Sequence, residues 1–173
     1  DGQLVNDSQF GGFDLNQIPT EQIQSIEISK NQAIGAGATP IGGVIRINTY
    51  NPSKDKLKLS LALGSFNHRS INLLYNKAFQ TNNLSIGGSY LKTDNNYDYL
   101  VPQSFTNSNQ SVTEPLNNNQ FEKKNLYVNN NLSFGSQKIR LTLQYNEQDK
   151  AIPNYQNNTP ENASSLSSNT WRL

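Results

Sequence analysis

From Lys56 onward apolar and polar side chains alternate almost one for one, and a period of two commits a chain to strands with one apolar face. Leu57, Leu59, Leu61 and Leu63 stand against Lys58, Ser60, Ala62 and Gly64. Ile71, Leu73, Tyr75 and Phe79 oppose Ser70, Asn72, Asn76 and Gln80, with Leu74 and Lys77 breaking the pattern. Leu84, Ile86 and Tyr90 alternate with Ser85, Gly87 and Ser89, and Leu126, Val128, Leu132 and Phe134 with Asn125, Tyr127, Asn129 and Asn131. Ile139, Leu141, Leu143 and Tyr145 mark a fifth strand, and residues 166–173 open a sixth.

The connections between these strands alternate in length. Residues 81–83 and 135–137 are short, 95–118 and 149–165 are long, and 65–69 is a short exception. Successive connections of a meander lie at opposite ends, so tight turns are expected at one end and extended loops at the other. Outer-membrane barrels have that asymmetry. Phe79, Phe134 and Tyr145 are expected at strand ends on the apolar parity, where interfacial aromatic girdles sit. A soluble sandwich would also send the polar parity into water, so periodicity leaves both architectures open.

Composition narrows the choice of function. Of 173 residues only 34% are hydrophobic, while 27 Asn and 14 Gln supply hydrogen-bonding capacity and little apolar area, so a conventional core is thin. Fourteen Lys and Arg against 13 Asp and Glu, without a basic cluster along the chain, give no nucleic-acid footprint. The absence of cysteine excludes disulfides, thiolate catalysis and zinc ribbons, and a single histidine, His68, leaves little room for imidazole catalysis. No apolar run exceeds three residues, which rules out a spanning helix and leaves a spanning barrel untouched.

The first fifty residues differ from the rest. A helical turn after Pro19, strands at 25–29 and 44–49, and glycines at 35, 37, 42 and 43 make a small mixed unit, and Asn51-Pro52-Ser53 interrupts regular structure. The expected organisation is therefore 1–50 followed by 51–173.

Within 1–50, Asp1-Gly2, Val5-Asn6-Asp7, Phe13 to Pro19, Ile23, Ile26-Glu27-Ile28 and Ile41-Gly42-Gly43-Val44-Ile45 occur in an order that resembles the TonB-dependent outer-membrane receptor family. The resemblance covers the C-terminal part of the plug domain (1–50) and the N-terminal part of the transmembrane β-barrel (51–173), with motif-like matches in the first part and strand pattern in the second. Lys30-Asn31 departs from the family's usual Arg-Gly, and 35–40 lacks its usual aromatic. A family barrel of roughly 22 strands needs about 220 strand residues, so the chain reads as a piece with the first five or six strands. It begins Asp1-Gly2-Gln3, without an initiator Met or a signal segment, as a processed or truncated chain would.

The fold class expected is mainly β: a partial transmembrane antiparallel barrel preceded by the end of a mixed α/β plug. The resemblance implies energised uptake of a large scarce nutrient, such as an iron–siderophore or cobalamin, by a monomeric receptor in the bacterial outer membrane. Its partners would be membrane lipid, the TonB energy-coupling complex and a metal-chelate or corrinoid ligand. No cofactor, protein-held metal, nucleic acid or catalysis is implied.

By the same resemblance, the loop 6–12 stands where a plug apex faces the ligand, which implies Asp7, Ser8, Gln9 and Phe10 as contacts, and the long loop expected outside would add Tyr97, Tyr99 and Phe105. Asp94, Asn96 and Asp98 open like a calcium loop, but Tyr99 stands where its turn glycine belongs and no spaced Glu follows. His68 beside Arg69 reads as hairpin decoration. The competing reading is a soluble or surface β-rich adhesion or glycan-binding module, suggested by the amides and tyrosines. A hydrolase lacks any nucleophile–base–orienter set.

Overall fold

The computed structural model describes residues 5, 13, 15, 18, 20–30, 43–49, 54–101, 112–155, 158–159, 161 and 163–173. The chain is mainly β and divides into two compact units, 1–51 and 52–173.

In the first unit a 3-10 turn, Thr20–Gln22, leads into β1 (Ile23–Ser29), which pairs antiparallel with β2 (Val44–Thr49). Ile26 faces Ile47 and Ile28 faces Ile45 on one side, while Asn48 donates to Ser25 Oγ at 3.0 Å and Glu27 Oε1 at 2.8 Å on the other. Gly43 enters β2 at φ 114°, where a Cβ would lie 2.4 Å from the Ser29 carbonyl oxygen, so only glycine lets the strands meet there. A mixed α/β plug domain is not evident among the described residues, which contribute this two-stranded sheet and the short turn before it.

The second unit is an antiparallel meander. Strands β3 (Lys56–Gly64), β4 (His68–Ala78), β5 (Asn82–Thr93), β8 (Phe121–Phe134), β9 (Gln137–Ile152) and β10 (Ser164–Arg172) lie side by side in chain order. Between β5 and β8 the chain forms a separate hairpin of β6 (Asp98–Val101) and β7 (Val112–Pro115). The six-stranded sheet is open, with β3 and β10 as its edges, and the described residues form no closed barrel. Turns 79–81 and 135–136 lie at one end, and connections 65–67, 94–120 and 153–163 at the other.

Register gives the two faces different chemistry, with Leu74 and Tyr127 as buried apolar members of the polar side. One row runs Leu59, Leu73, Gly88, Leu126, Tyr145, Trp171; the next runs Ser60, Asn72, Ser89, Asn125, Asn146, Thr170. The apolar row is the exposed one. Leu61 is 68% exposed, Leu73 47% and Leu143 37%, whereas Ser85, Asn125 and Asn146 on the polar face retain 3%, 4% and 5%. The polar face is held by its own hydrogen bonds, Ser85 Oγ to Asn76 Oδ1 at 2.8 Å and Asn125 Nδ2 to Asn146 Oδ1 among them.

Tyr145 does not end its strand. β9 continues through Ile152, because beyond Tyr145 both parities turn polar (Glu147 and Asp149 against Asn146, Gln148 and Lys150) and hydrophobic alternation stops while backbone pairing to β8 and β10 goes on. On the outward parity of this extension Lys124 bonds Glu147 at 2.8 Å, and Glu122 takes Lys92 and Lys124 at 3.4 Å each, forming a charged border to the apolar band.

Gly87 and Tyr127 face each other across β5 and β8, and a Cβ on Gly87 would sit 2.4 Å from the tyrosine ring. The ring thus lies over the bare backbone, a cross-strand pairing that covers a glycine with an aromatic. Gly87→Val should cost about 1–3 kcal/mol by overpacking, read as a lower denaturant midpoint of the intact protein. Combining it with Tyr127→Ala should cost less than the sum of the two single changes.

Candidate functional site

Seven residues were expected at a ligand site, and their placement differs. Asp7, Ser8, Gln9, Phe10 and Phe105 lie outside the described residues. Tyr97 and Tyr99 lie at the loop end of the six-stranded sheet, and Tyr155 from the following connection joins them. Tyr97 and Tyr155 share a hydroxyl–hydroxyl bond of 3.2 Å, and Tyr99 reaches the Tyr155 carbonyl at 3.5 Å. The Tyr99 and Tyr155 rings meet edge to face at 5.5 Å, and Phe66, from the β3–β4 turn, meets Tyr97 at 6.3 Å. Three connections therefore contribute to one aromatic cluster.

The turn that presents Phe66 is unusual. Phe66 and Asn67 both have φ of 56°, the left-handed pair that a tight hairpin turn requires, although phenylalanine seldom adopts it. The Phe66 carbonyl accepts from Asp94 N at 2.9 Å and Thr93 Oγ1 at 3.1 Å, which holds the turn against β5. Asn67 Nδ2 donates to Asp94 Oδ2 at 3.0 Å, and Asn67 Oδ1 accepts from Arg69 Nε at 2.9 Å. The Asp94 carboxylate is thus engaged by an amide, and no group of three metal-binding side chains occurs among the described residues.

Asparagines tie the loops to one another. Asn158 Oδ1 accepts from Asn117 N at 2.7 Å and its Nδ2 donates to the Pro115 carbonyl at 2.9 Å. Asn118 donates to the carbonyls of Ile152 and Ser164, and Asn119 to that of Asn95. Leu116, in the middle of this network, is fully buried. The amides that contribute so little to a core here fix loop backbone, each through one or two bonds worth about 0.5–1.5 kcal/mol.

Hydrogen bonding to Tyr155 holds the Tyr97 hydroxyl above the usual tyrosine range, and desolvation, then the nearby Glu114 carboxylate, does the same for Tyr99. Both stay neutral donors through the physiological range. The cluster offers the half-exposed rings of Phe66 and Tyr155 and the exposed Leu100 beside neutral amides, a surface suited to the apolar and polar periphery of an organic solute. Phe66 and Tyr155 were not singled out from sequence. The signal was present in the alternation of connection lengths, which assigns 65–69 and 149–165 to the same end as 95–118.

No family model, curated protein or solved structure matches the chain.

Asn158→Ala removes two side-chain bonds that join residues 153–163 to 115–117. Limited proteolysis within 94–120 should accelerate about tenfold, the equivalent of roughly 1.4 kcal/mol of local opening, with the denaturant midpoint of the six-stranded sheet unchanged.

Proposed function

We propose that the six-stranded sheet is a section of a transmembrane antiparallel β-barrel, its apolar face turned to lipid and its polar face to the lumen. The observation that carries this reading is the inverted burial: leucine rows exposed, serine and asparagine rows covered. A sheet in water does the reverse, and a soluble monomer seldom leaves a contiguous apolar patch of more than a few hundred Å² open. In lipid the same face is satisfied, since every backbone group inside the sheet is already paired. Along β8 the outward residues Leu126 to Phe134 extend roughly 27 Å, or about 20 Å at a barrel-like tilt, close to the height of a lipid-facing band. Asn130 within that stretch pairs with Asn82 at 3.4 Å near the turn end.

The charged border of Lys92, Glu122, Lys124 and Glu147 then falls at the headgroups, and the aromatic and amide loops lie outside the cell. Together with the sequence resemblance of residues 1–50 to a plug domain, this supports a TonB-dependent receptor that takes up a large scarce nutrient such as an iron–siderophore or cobalamin under proton-motive force. Under this reading the chain carries binding and passage rather than catalysis.

In the full receptor, Leu61→Arg should reduce stability by about 2–4 kcal/mol if it lies near the midplane, while Ser60→Arg should assemble. Cells given a labelled ferric siderophore or labelled cobalamin should bind one of them and accumulate it, and dissipating the proton gradient should stop accumulation while binding persists. Accumulation that continues without the gradient contradicts energised transport, and normal assembly of Leu61→Arg with failure of Ser60→Arg reverses the faces.

A further inference from the structure

The two faces of the six-stranded sheet differ in the sign of their charge as well as in polarity. Register places Lys56, Lys58, Lys123, Lys138, Arg140, Lys150 and Arg172 on the polar parity, with no Asp or Glu among the described residues of that face. The acidic residues of these strands, Glu122, Glu147 and Asp149, all point the other way, and so do the strand salt bridges: Lys77 to Asp55, Lys92 to Glu122, and Lys124 to Glu122 and Glu147. Near-neutral overall composition conceals this segregation, because the carboxylates that balance the total lie on the outward parity, in the loops or in residues 1–51.

The cations are also arranged along the strands. Lys123 and Lys150 lie toward the loop end and Lys138 and Arg140 toward the turn end; Lys56 shares a row with Asn76, Ser85, Asn129 and Thr142, Lys58 and Arg172 stand in the next row, and the row of Ser60, Asn72, Ser89, Asn125 and Asn146 beyond it is neutral. Lys56, Lys58, Lys138 and Lys150 are exposed, and among the described residues no carboxylate lies within ion-pair distance of them. Asp94 and Glu161 belong to the connections and Asp98 and Glu114 to the separate β6–β7 hairpin, all outside the six-stranded sheet, and His68 is the remaining titratable group on this parity at the loop end. One sign of charge over a low-dielectric wall raises the local concentration of the opposite ion.

We propose that the solute received by this polar face is an anion, an organic molecule bearing carboxylate or phosphate groups. The inference rests on the reading of the sheet as a barrel wall with this face to the lumen, and it narrows the ligand to a negatively charged one. Positive charge at both ends and in the rows of Lys56, Lys58 and Arg172 between them, interspersed with neutral hydrogen-bonding groups, attracts such a solute along the length of the face.

The full receptor is reconstituted in neutral phosphatidylcholine vesicles with a fluorophore on a Thr142→Cys variant, and quenching by iodide, caesium and acrylamide is compared. After normalisation to acrylamide, iodide should quench about threefold more effectively relative to caesium at Thr142 than at an Asn96→Cys control in the loops. The preference should disappear in Lys56→Gln/Lys58→Gln/Lys138→Gln/Lys150→Gln. If that variant fails to assemble, the wild-type preference should still collapse between low salt and 1 M salt, where the screening length is about 3 Å. Equal quenching by iodide and caesium would overturn the proposal, since carboxylates of another protein segment would then already neutralise the face. A label on a Leu143→Cys variant separates the two readings: shielding from all three quenchers upholds the barrel wall, and free quenching there removes it.

Discussion

The rest of the structure depends on the closure of backbone hydrogen bonds within a sheet whose large side chains face outward. Six strands in continuous antiparallel register satisfy the peptide groups between them, so the exposed leucines of β3, β4 and β9 need a nonpolar surrounding and no hydrogen-bonding partner. With small polar residues on the other side, Ser85 and Asn76 or Asn125 and Asn146 bond each other across strands. Exchanging the faces by a one-residue slip would expose amides where leucines now stand, which is why the register is strongly fixed.

Asparagine solves a second problem at the loop end. Connections of this length have backbone groups with no strand beside them, and Asn117, Asn118, Asn119 and Asn158 supply donors or acceptors that bind those groups across loops. The aromatic cluster of Phe66, Tyr97, Tyr99 and Tyr155 rests on that scaffold. An aromatic surface is thereby held by hydrogen bonds that bury little apolar area, consistent with a chain poor in hydrophobic residues.

Strands were legible in the sequence wherever one parity was apolar and the other polar: Leu57 to Leu63, Ile71 to Tyr75 and Leu126 to Phe134 all adopt the pairing that alternation predicts. Legibility failed where both faces are polar. The connection expected from 149 starts later, since Asp149 to Ile152 extend β9, because backbone pairing leaves no trace in hydropathy. The β6–β7 hairpin was hidden in a long connection for a different reason, its four-residue strands being too short to show a period. Tyr97 and Tyr99 were found as loop aromatics, while Tyr155 and Phe66 needed the fold to bring them near. The charge segregation was invisible in the total of +1 and emerges only when register assigns each lysine to a face.

The most direct measurement of the central claim is a nitroxide scan of residues 70 to 76 along β4 in the protein reconstituted in vesicles. Collision rates are read with oxygen, which concentrates in lipid, and with a water-soluble nickel chelate. The account predicts a period of two, with oxygen access highest at 71, 73 and 75 and low nickel access at the same positions. Oxygen access that peaks at 70, 72, 74 and 76, or nickel access at 71, 73 and 75 equal to that of a loop residue, would contradict it.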